Sequence, residues 1–311
     1  MCGIVGAIGK SINKEILRDL FVAIEKRGTD ASGFWTPAGG VVKAPVKVSD
    51  LVLAEKDKYE EGVTQSNLFI GHTRWATHGK INDNNNTHPL ESENWFLVHN
   101  GVVASLRDVK DYPYKGGTDS ENILAYIETF GLEKGLSKID SGASIILVPK
   151  DEENSLYLWK TWSGDMAVCF FKEDETLYIV SSKMYFEPIV KGLLQERKLL
   201  GGLVVEHSFG KKIMVTEPTA RQLWKITYEN EKLNATQVAT IPSTNVAGTW
   251  NGNVYTPHKI KDPDEDMFVS SKQRVRPASE TSTTTFTKNG ANTTDMCPVY
   301  TLDYDHDTDL I

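Results

Sequence analysis

An α+β fold, with antiparallel sheets covered by helices, is what this sequence predicts, and three features predict it. Short strand-like runs far outnumber helical periodicities, and the two do not alternate strictly as they would in a parallel α/β protein. The chain has 311 residues, of which 40% are hydrophobic and 24% charged, a balance able to bury a full core. The texture also changes near residue 228, where periodic apolar patterning gives way to Thr, Ser, Asn, Asp and Pro.

The elements follow in order. Ile4–Ile8 is a continuous apolar run between Gly3 and Gly9, which reads as a buried strand. Lys14–Lys26 carries Ile16, Leu17, Leu20, Phe21 and Ile24 at helical spacing and stops at Gly28. Strand patterns cover Asn67–Arg74 and Trp95–His99. Asp119–Phe130 is the second helix, with Asp119 or Ser120 at its N-cap and Gly131 closing it. Further strand patterns occupy Ala143–Pro149, Leu156–Trp162, Ala167–Phe171, Leu177–Ser181, Leu203–Glu206, Ile213–Thr216 and Leu223–Tyr228. Residues 229–311 contain the low-complexity stretch SETSTTTFTKNGANTT and are expected to form a disordered tail, leaving 2–228 as the folded domain.

Composition excludes several functions. Lys+Arg 34 against Asp+Glu 42 gives a net charge of −8, which argues against a nucleic-acid partner that needs a basic face. No apolar run reaches the ~18 residues of a membrane span, and MCGIVGAIGKS lacks the basic leader of a signal peptide, so a cytoplasmic protein is expected. Cys2, Cys169 and Cys297 are too few for a disulfide framework. Cys169 reads as a core thiol, and His88 as a structural loop residue. No ligand-spaced set of His and Cys calls for a metal, and no cofactor is implied.

Four short segments carry chemistry. Removal of Met1 would leave Cys2 at the N-terminus with its thiol beside a free amine, whose reference pKa of about 7.7–8.0 lies just below the thiol's ~8.5. One residue would then supply nucleophile and base; the plainer alternative is a small core cysteine. GHTRWATHG, Gly71–Gly79, leaves a strand with Arg74, Thr77 and His78 close together, able to clamp a carboxylate or merely to form a polar surface. Asn100-Gly101 offers a side-chain amide and a backbone N–H to one oxygen, or else a hairpin turn. Asp119, at the start of a helix, could receive an ammonium group or cap the helix.

Taken together these segments resemble the class II, N-terminal-nucleophile glutamine amidotransferases, and most closely the glutaminase half of glucosamine-6-phosphate synthase. The matching stretches are CGIVGAIG at Cys2–Gly9, RGTDASG at Arg27–Gly33, GHTRWATHG, NTHP at Asn86–Pro89, HNG at His99–Gly101 and TDSE at Thr118–Glu121, over about residues 2–225. The resemblance implies a four-layer αββα sandwich of antiparallel sheets. It implies that Cys2 attacks the carboxamide of L-glutamine to give a thioester and ammonia, with Asn100 and Gly101 holding the oxyanion. Arg74, aided by Thr77 and His78, would bind the α-carboxylate and Asp119 the α-ammonium. Trp75 would gate the ammonia route, and Arg27 would support the nucleophile.

Departures from the family pattern are Thr29 for an aromatic, Leu90 for a second His, and Ala104 and Ser105 after HNG. No sugar-phosphate isomerase, phosphoribosyltransferase or P-loop is legible after residue 225, so the ammonia acceptor is expected on a partner synthase or isomerase chain. The alternatives are an N-terminal-nucleophile hydrolase of another amide, and a non-catalytic binding module on the same fold.

Overall fold

The computed structural model describes residues 2–104, 106–152, 154–171, 174–186, 188, 216–243, 264 and 267–268, with the backbone of 198–200, 203–205, 248–251 and 254–257. All of these belong to one compact unit, Met1–Ala278. The chain begins with β1 (Gly3–Gly9), α1 (Lys14–Ala23), β2 (Ala31–Thr36), β3 (Gly40–Ala44), α2 (Val48–Ala54), α3 (Lys56–Thr64) and β4 (Leu68–Arg74). It continues through β5 (Leu90–Glu91), β6 (Trp95–Gly101), α4 (Ser120–Phe130), α5 (Leu132–Ser137), β7 (Ala143–Pro149), β8 (Ser155–Lys160), β9 (Ala167–Phe171) and β10 (Thr176–Val180). Antiparallel strand pairs follow at β11 (Lys198–Leu200) with β12 (Leu203–Val205), at β13 (Gln222–Glu229) with β14 (Lys232–Thr240), and at β15 (Gly248–Asn251) with β16 (Val254–Pro257).

Two six-stranded antiparallel sheets result, ordered β3-β2-β4-β1-β10-β9 and β14-β13-β8-β7-β6-β5. Strand alternation explains why they stack. On β1, Val5 and Ala7 face α1–α3, whereas Ile4 and Ile8 face the second sheet and meet Val98, Ile146, Leu158 and Ile226. The far face of the second sheet carries Leu97, Ile145, Leu147 and Trp159 against Ile123, Leu124 and Ile127 of α4 and Leu136 of α5. The expected helix–sheet–sheet–helix order is therefore present, and both faces of each sheet are covered. Continuous apolar runs such as Ala143–Pro149 follow from that double burial.

Local signals set the helix ends. Asn13 caps α1, accepting from the backbone N–H groups of Glu15 and Ile16 at 3.0 and 3.1 Å. The α-helix expected to Lys26 ends at Ala23 and finishes as a 3-10 turn over Ile24–Arg27. Asn100-Gly101 is no hairpin turn: it ends β6, paired with Ser144 and Ala143 of β7 across a long connection.

The domain does not end at residue 228. Lys232–Thr240 pairs with β13 along its whole length as the edge strand of the second sheet. Only Leu233 and Ala235 are buried on this strand, so its sequence reads as polar tail although half of it faces a core. Farther on, Asp264, Met267 and Phe268 also touch the domain. The whole of the expected tail beyond 268, Cys297 included, lies outside the described residues, as does most of the strand expected at Ile213–Thr216. Thr216 itself bridges Val168. No helix among the described residues is long and apolar enough to cross a membrane.

Candidate active site

The register of the first sheet places the N-terminus. Gly3 pairs with Thr73, so Cys2 stands beyond the end of β1, across from Arg74 and the loop that leaves β4. The half-buried Cys2 thiol donates to the Trp75 carbonyl at 3.7 Å. Arg27 fixes the residue from behind, its Nε donating to the Cys2 carbonyl at 2.7 Å while Nη1 lies 3.8 Å from Asp165. The RGTDASG loop reaches this point because of Gly28, where a Cβ would stand 2.3 Å from the Arg74 carbonyl carbon. The same loop returns Asp30 to the strand end, accepting from the Ala76 N–H at 2.8 Å.

Asn100 and Gly101 arrive from the second sheet, at the end of β6. Gly101 has φ +148°, and a Cβ there would stand 2.0 Å from the Gly142 carbonyl oxygen, so no side chain fits this corner. Cys2, Arg27, Trp75, Thr77, Asn100 and Gly101 line one cavity of about 440 Å³. Val102, Gly142, Ser163, Gly164 and Asp165 complete its wall. Six of the nine residues expected at the site thus share a cavity.

Arg74, His78 and Asp119 do not line it. Arg74 is buried, and its guanidinium is spent on its own loop, donating to the carbonyls of His78 (2.5 Å), Lys80 (3.2 Å) and Gly79 (3.4 Å). His78 is exposed, with Nδ1 3.1 Å from Thr77 Oγ1. Asp119 stands at the N-cap position of α4 yet does not cap it. Its Oδ2 accepts from the Val103 N–H at 2.7 Å, tying the helix start to the strand end after Gly101. Arg74 and Asp119 remain near enough to act on the thiol. Burial pushes the Cys2 thiol above its ordinary pKa, the Trp75 hydrogen bond and Arg74 oppose that, and Asp119 adds to it. The resting state is a protonated thiol, which needs a base when it attacks.

Beneath the cavity lies a buried histidine frame. His72 Nε2 donates to the His99 carbonyl at 3.1 Å, the His72 and His88 rings lie 4.1 Å apart, and His99 Nδ1 is 2.9 Å from Ser120 Oγ. Burial drives all three below the ordinary histidine range, His72 to about 3, so each is neutral near pH 7. His88 is the structural residue expected. Asn86 ties the loops together, its amide donating to the Lys80 carbonyl and its Oδ1 accepting from Gly117 N–H. Cys169 is a buried core thiol pushed up to about 12.

Sequence reasoning missed Ser163, Gly164 and Asp165. Ser-Gly-Asp after a strand reads as an ordinary turn, and nothing local says that the turn faces Cys2. Among the described residues no group of three potential metal ligands occurs.

Residues 37–138 match the family described as glutamine amidotransferases class-II. This part of the chain is similar to class II glutamine amidotransferases. The matched span holds Arg74–His78, Asn100-Gly101 and Asp119. Glutamine–fructose-6-phosphate aminotransferase (isomerizing) of Streptococcus pneumoniae serotype 4 is 38% identical over 150 residues, 45% of this chain and 24% of that protein. The same enzyme of Shouchella clausii is 34% identical over 179 residues, 52% of this chain and 29% of that one. The chain therefore spans less than a third of the length of these relatives. The glutamine phosphoribosylpyrophosphate amidotransferase from B. subtilis shares the fold at TM-score 0.52 and 14% identity, over 76% of this chain and 49% of that one.

Proposed function

We propose that this domain hydrolyses the side-chain amide of L-glutamine to glutamate and ammonia through a thioester on Cys2. The observation that carries the proposal is the single cavity in which Cys2, from the first sheet, meets Asn100 and Gly101, from the second. With Met1 removed, the Cys2 amine takes the thiol proton as sulfur adds to the carboxamide carbon. The Asn100 amide and the Gly101 N–H hold the developing oxyanion, an interaction worth roughly 10²–10³ in rate per donor. The amine then returns the proton to the departing nitrogen, ammonia leaves, and water cleaves the thioester to release glutamate.

Arg74 would bind the α-carboxylate by exchanging the carbonyls of residues 78–80 for substrate oxygens, with Thr77 and His78 on the same loop. Asp119 would take the α-ammonium. A zwitterion suits this pair, because an analogue lacking either charge leaves a pocket charge unmatched. Arg27 holds the Cys2 backbone in line for attack, and Trp75, half exposed at the cavity mouth, would gate the path of ammonia outward.

The ammonia acceptor is proposed to lie on a partner chain, a synthase or isomerase. The fructose 6-phosphate in the relatives' name makes amino-sugar synthesis the destination to test first. A free nucleophilic thiol is kept reduced most readily in the cytoplasm, and the reaction is proposed to take place there.

The test is release of glutamate and ammonia from L-glutamine by the full chain against Cys2→Ala. Equal background in both, with candidate acceptor chains present, refutes the proposal. One observation favours a second reading, hydrolysis of a different amide: the guanidinium of Arg74 is already satisfied by backbone carbonyls. Glutamine turnover with unchanged KM in Arg74→Ala would decide for it.

A further inference from the structure

Beyond the catalytic cavity, a second feature bears on the site. The connection from Gly101 to α4, residues 102–119, contains no α-helix or strand among its described residues, yet it joins the Asn100-Gly101 corner to Asp119. Its inner side is tied to α4. Tyr126 Oη accepts from the Arg107 N–H at 3.0 Å, and Tyr114 Oη donates to Asn122 Oδ1 at 2.7 Å. The Glu121 carboxylate accepts from the Lys115 and Gly116 N–H groups at 2.5 and 2.9 Å.

Its outer side is held by residues far along the chain. Val109 forms an antiparallel bridge with Phe268, and the Lys110 N–H donates to the Met267 carbonyl at 2.7 Å. The Phe268 ring is sandwiched, stacking on Tyr126 at 5.4 Å with Arg107 4.3 Å from its centre. Asp264 pairs with Lys134 of α5 and with Lys138 at its C-cap, each at 3.0 Å. An acidic residue, a backbone acceptor and an aromatic ring thus meet two lysines, a backbone donor and a cation–aromatic slot, a complementary set drawn from both sides of the contact.

We propose that Asp264, Met267 and Phe268 act as an in-chain ligand, docked on α4, α5 and residues 107–110 of the connection, that holds the 102–119 connection in its substrate-binding shape. The surface it occupies fits an acidic–aromatic peptide, and this chain supplies its own. The proposal builds on the glutamine reading above, because Asp119 ends the clamped connection and is the residue assigned to the substrate ammonium. Loosening the connection weakens ground-state and transition-state binding alike, so KM changes and kcat does not.

The experiment compares the full chain with Phe268→Ala, Phe268→Tyr and Asp264→Asn, by hydrogen exchange over residues 103–118 and by glutamine kinetics. For Phe268→Ala we expect exchange to quicken by about tenfold or more. Its KM should rise by about tenfold with kcat within about twofold, and Phe268→Tyr should restore both. Unchanged exchange in Phe268→Ala overturns the clamp. Quickened exchange with unchanged KM overturns its link to substrate. If Phe268→Ala does not fold, Asp264→Asn decides, and its failure to quicken exchange overturns the clamp. Quickened exchange in a chain whose unaltered form has no glutaminase activity keeps the clamp and refutes the glutamine reading instead.

Discussion

The histidine frame under the cavity makes the domain acid-labile in the range where histidines ordinarily titrate. His72, His88 and His99 are 0%, 3% and 1% exposed, and burial lowers the folded pKa of each. A base with a lowered folded pKa stabilises the fold above its unfolded pKa of about 6.5, and that contribution is lost as pH falls toward the folded value. Below pH 6.5 the unfolded chain takes up the three protons while the folded chain resists them. Between pH 7.5 and 5 each histidine accounts for about 2 kcal/mol, or about 6 kcal/mol together. Set against a total stability of about 5–15 kcal/mol, that loss brings the domain to the edge of unfolding. The assay is urea unfolding followed by tryptophan fluorescence at pH 7.5, 6.5, 5.5 and 5.0. Neither ring nitrogen of His88 has a hydrogen-bond partner among the described residues, so His88→Leu removes a titration at little hydrogen-bonding cost. That variant should lose stability about a third less steeply. A wild-type stability that falls by less than about 1 kcal/mol across this range would refute the reasoning.

Two further predictions follow from the site and the sheet. Asn100→Ala removes a side-chain donor from the oxyanion corner while leaving the β6–β7 pairing intact, so kcat for glutamine should fall by roughly 10²–10³ with little change in KM; steady-state kinetics check this. Ending the chain at residue 228 deletes β14, uncovers the β13 edge and exposes Tyr228 and Ile226 at the margin of the inter-sheet core, whereas ending it at 243 does not. The shorter form should be less stable by several kcal/mol, on the order of 3–5, and prone to associate through the bare edge, as chemical denaturation and light scattering would reveal.

Much of the candidate site was legible because its chemistry is concentrated in short segments. Cys2, Arg74, Asn100-Gly101 and Asp119 each stand at the end of a strand or the start of a helix, and such ends are marked locally by apolar runs and polar stops. The strands buried on both faces, β1 and β7 above all, announce themselves as unbroken apolar stretches. Among the elements that escaped, β14 is an edge strand with two buried side chains, β2, β3 and α2 are only 6, 5 and 7 residues long, and α3 has Tyr59 and Val63 as its large apolar residues.

What the sequence by itself determined is the set of candidate reactive groups and the antiparallel, helix-covered architecture, since both depend on side-chain chemistry and spacing within a dozen residues. Tertiary structure decided everything that depends on residues distant in the chain. It turned Asn100-Gly101 from a turn signal into a strand end facing Cys2 and brought Ser163–Asp165 into the same cavity. It spent the Arg74 guanidinium on its own loop, and it laid Phe268 against Tyr126. Such contacts arise from stacking two sheets whose neighbouring strands are far apart in sequence, and a linear pattern carries no record of which faces will meet.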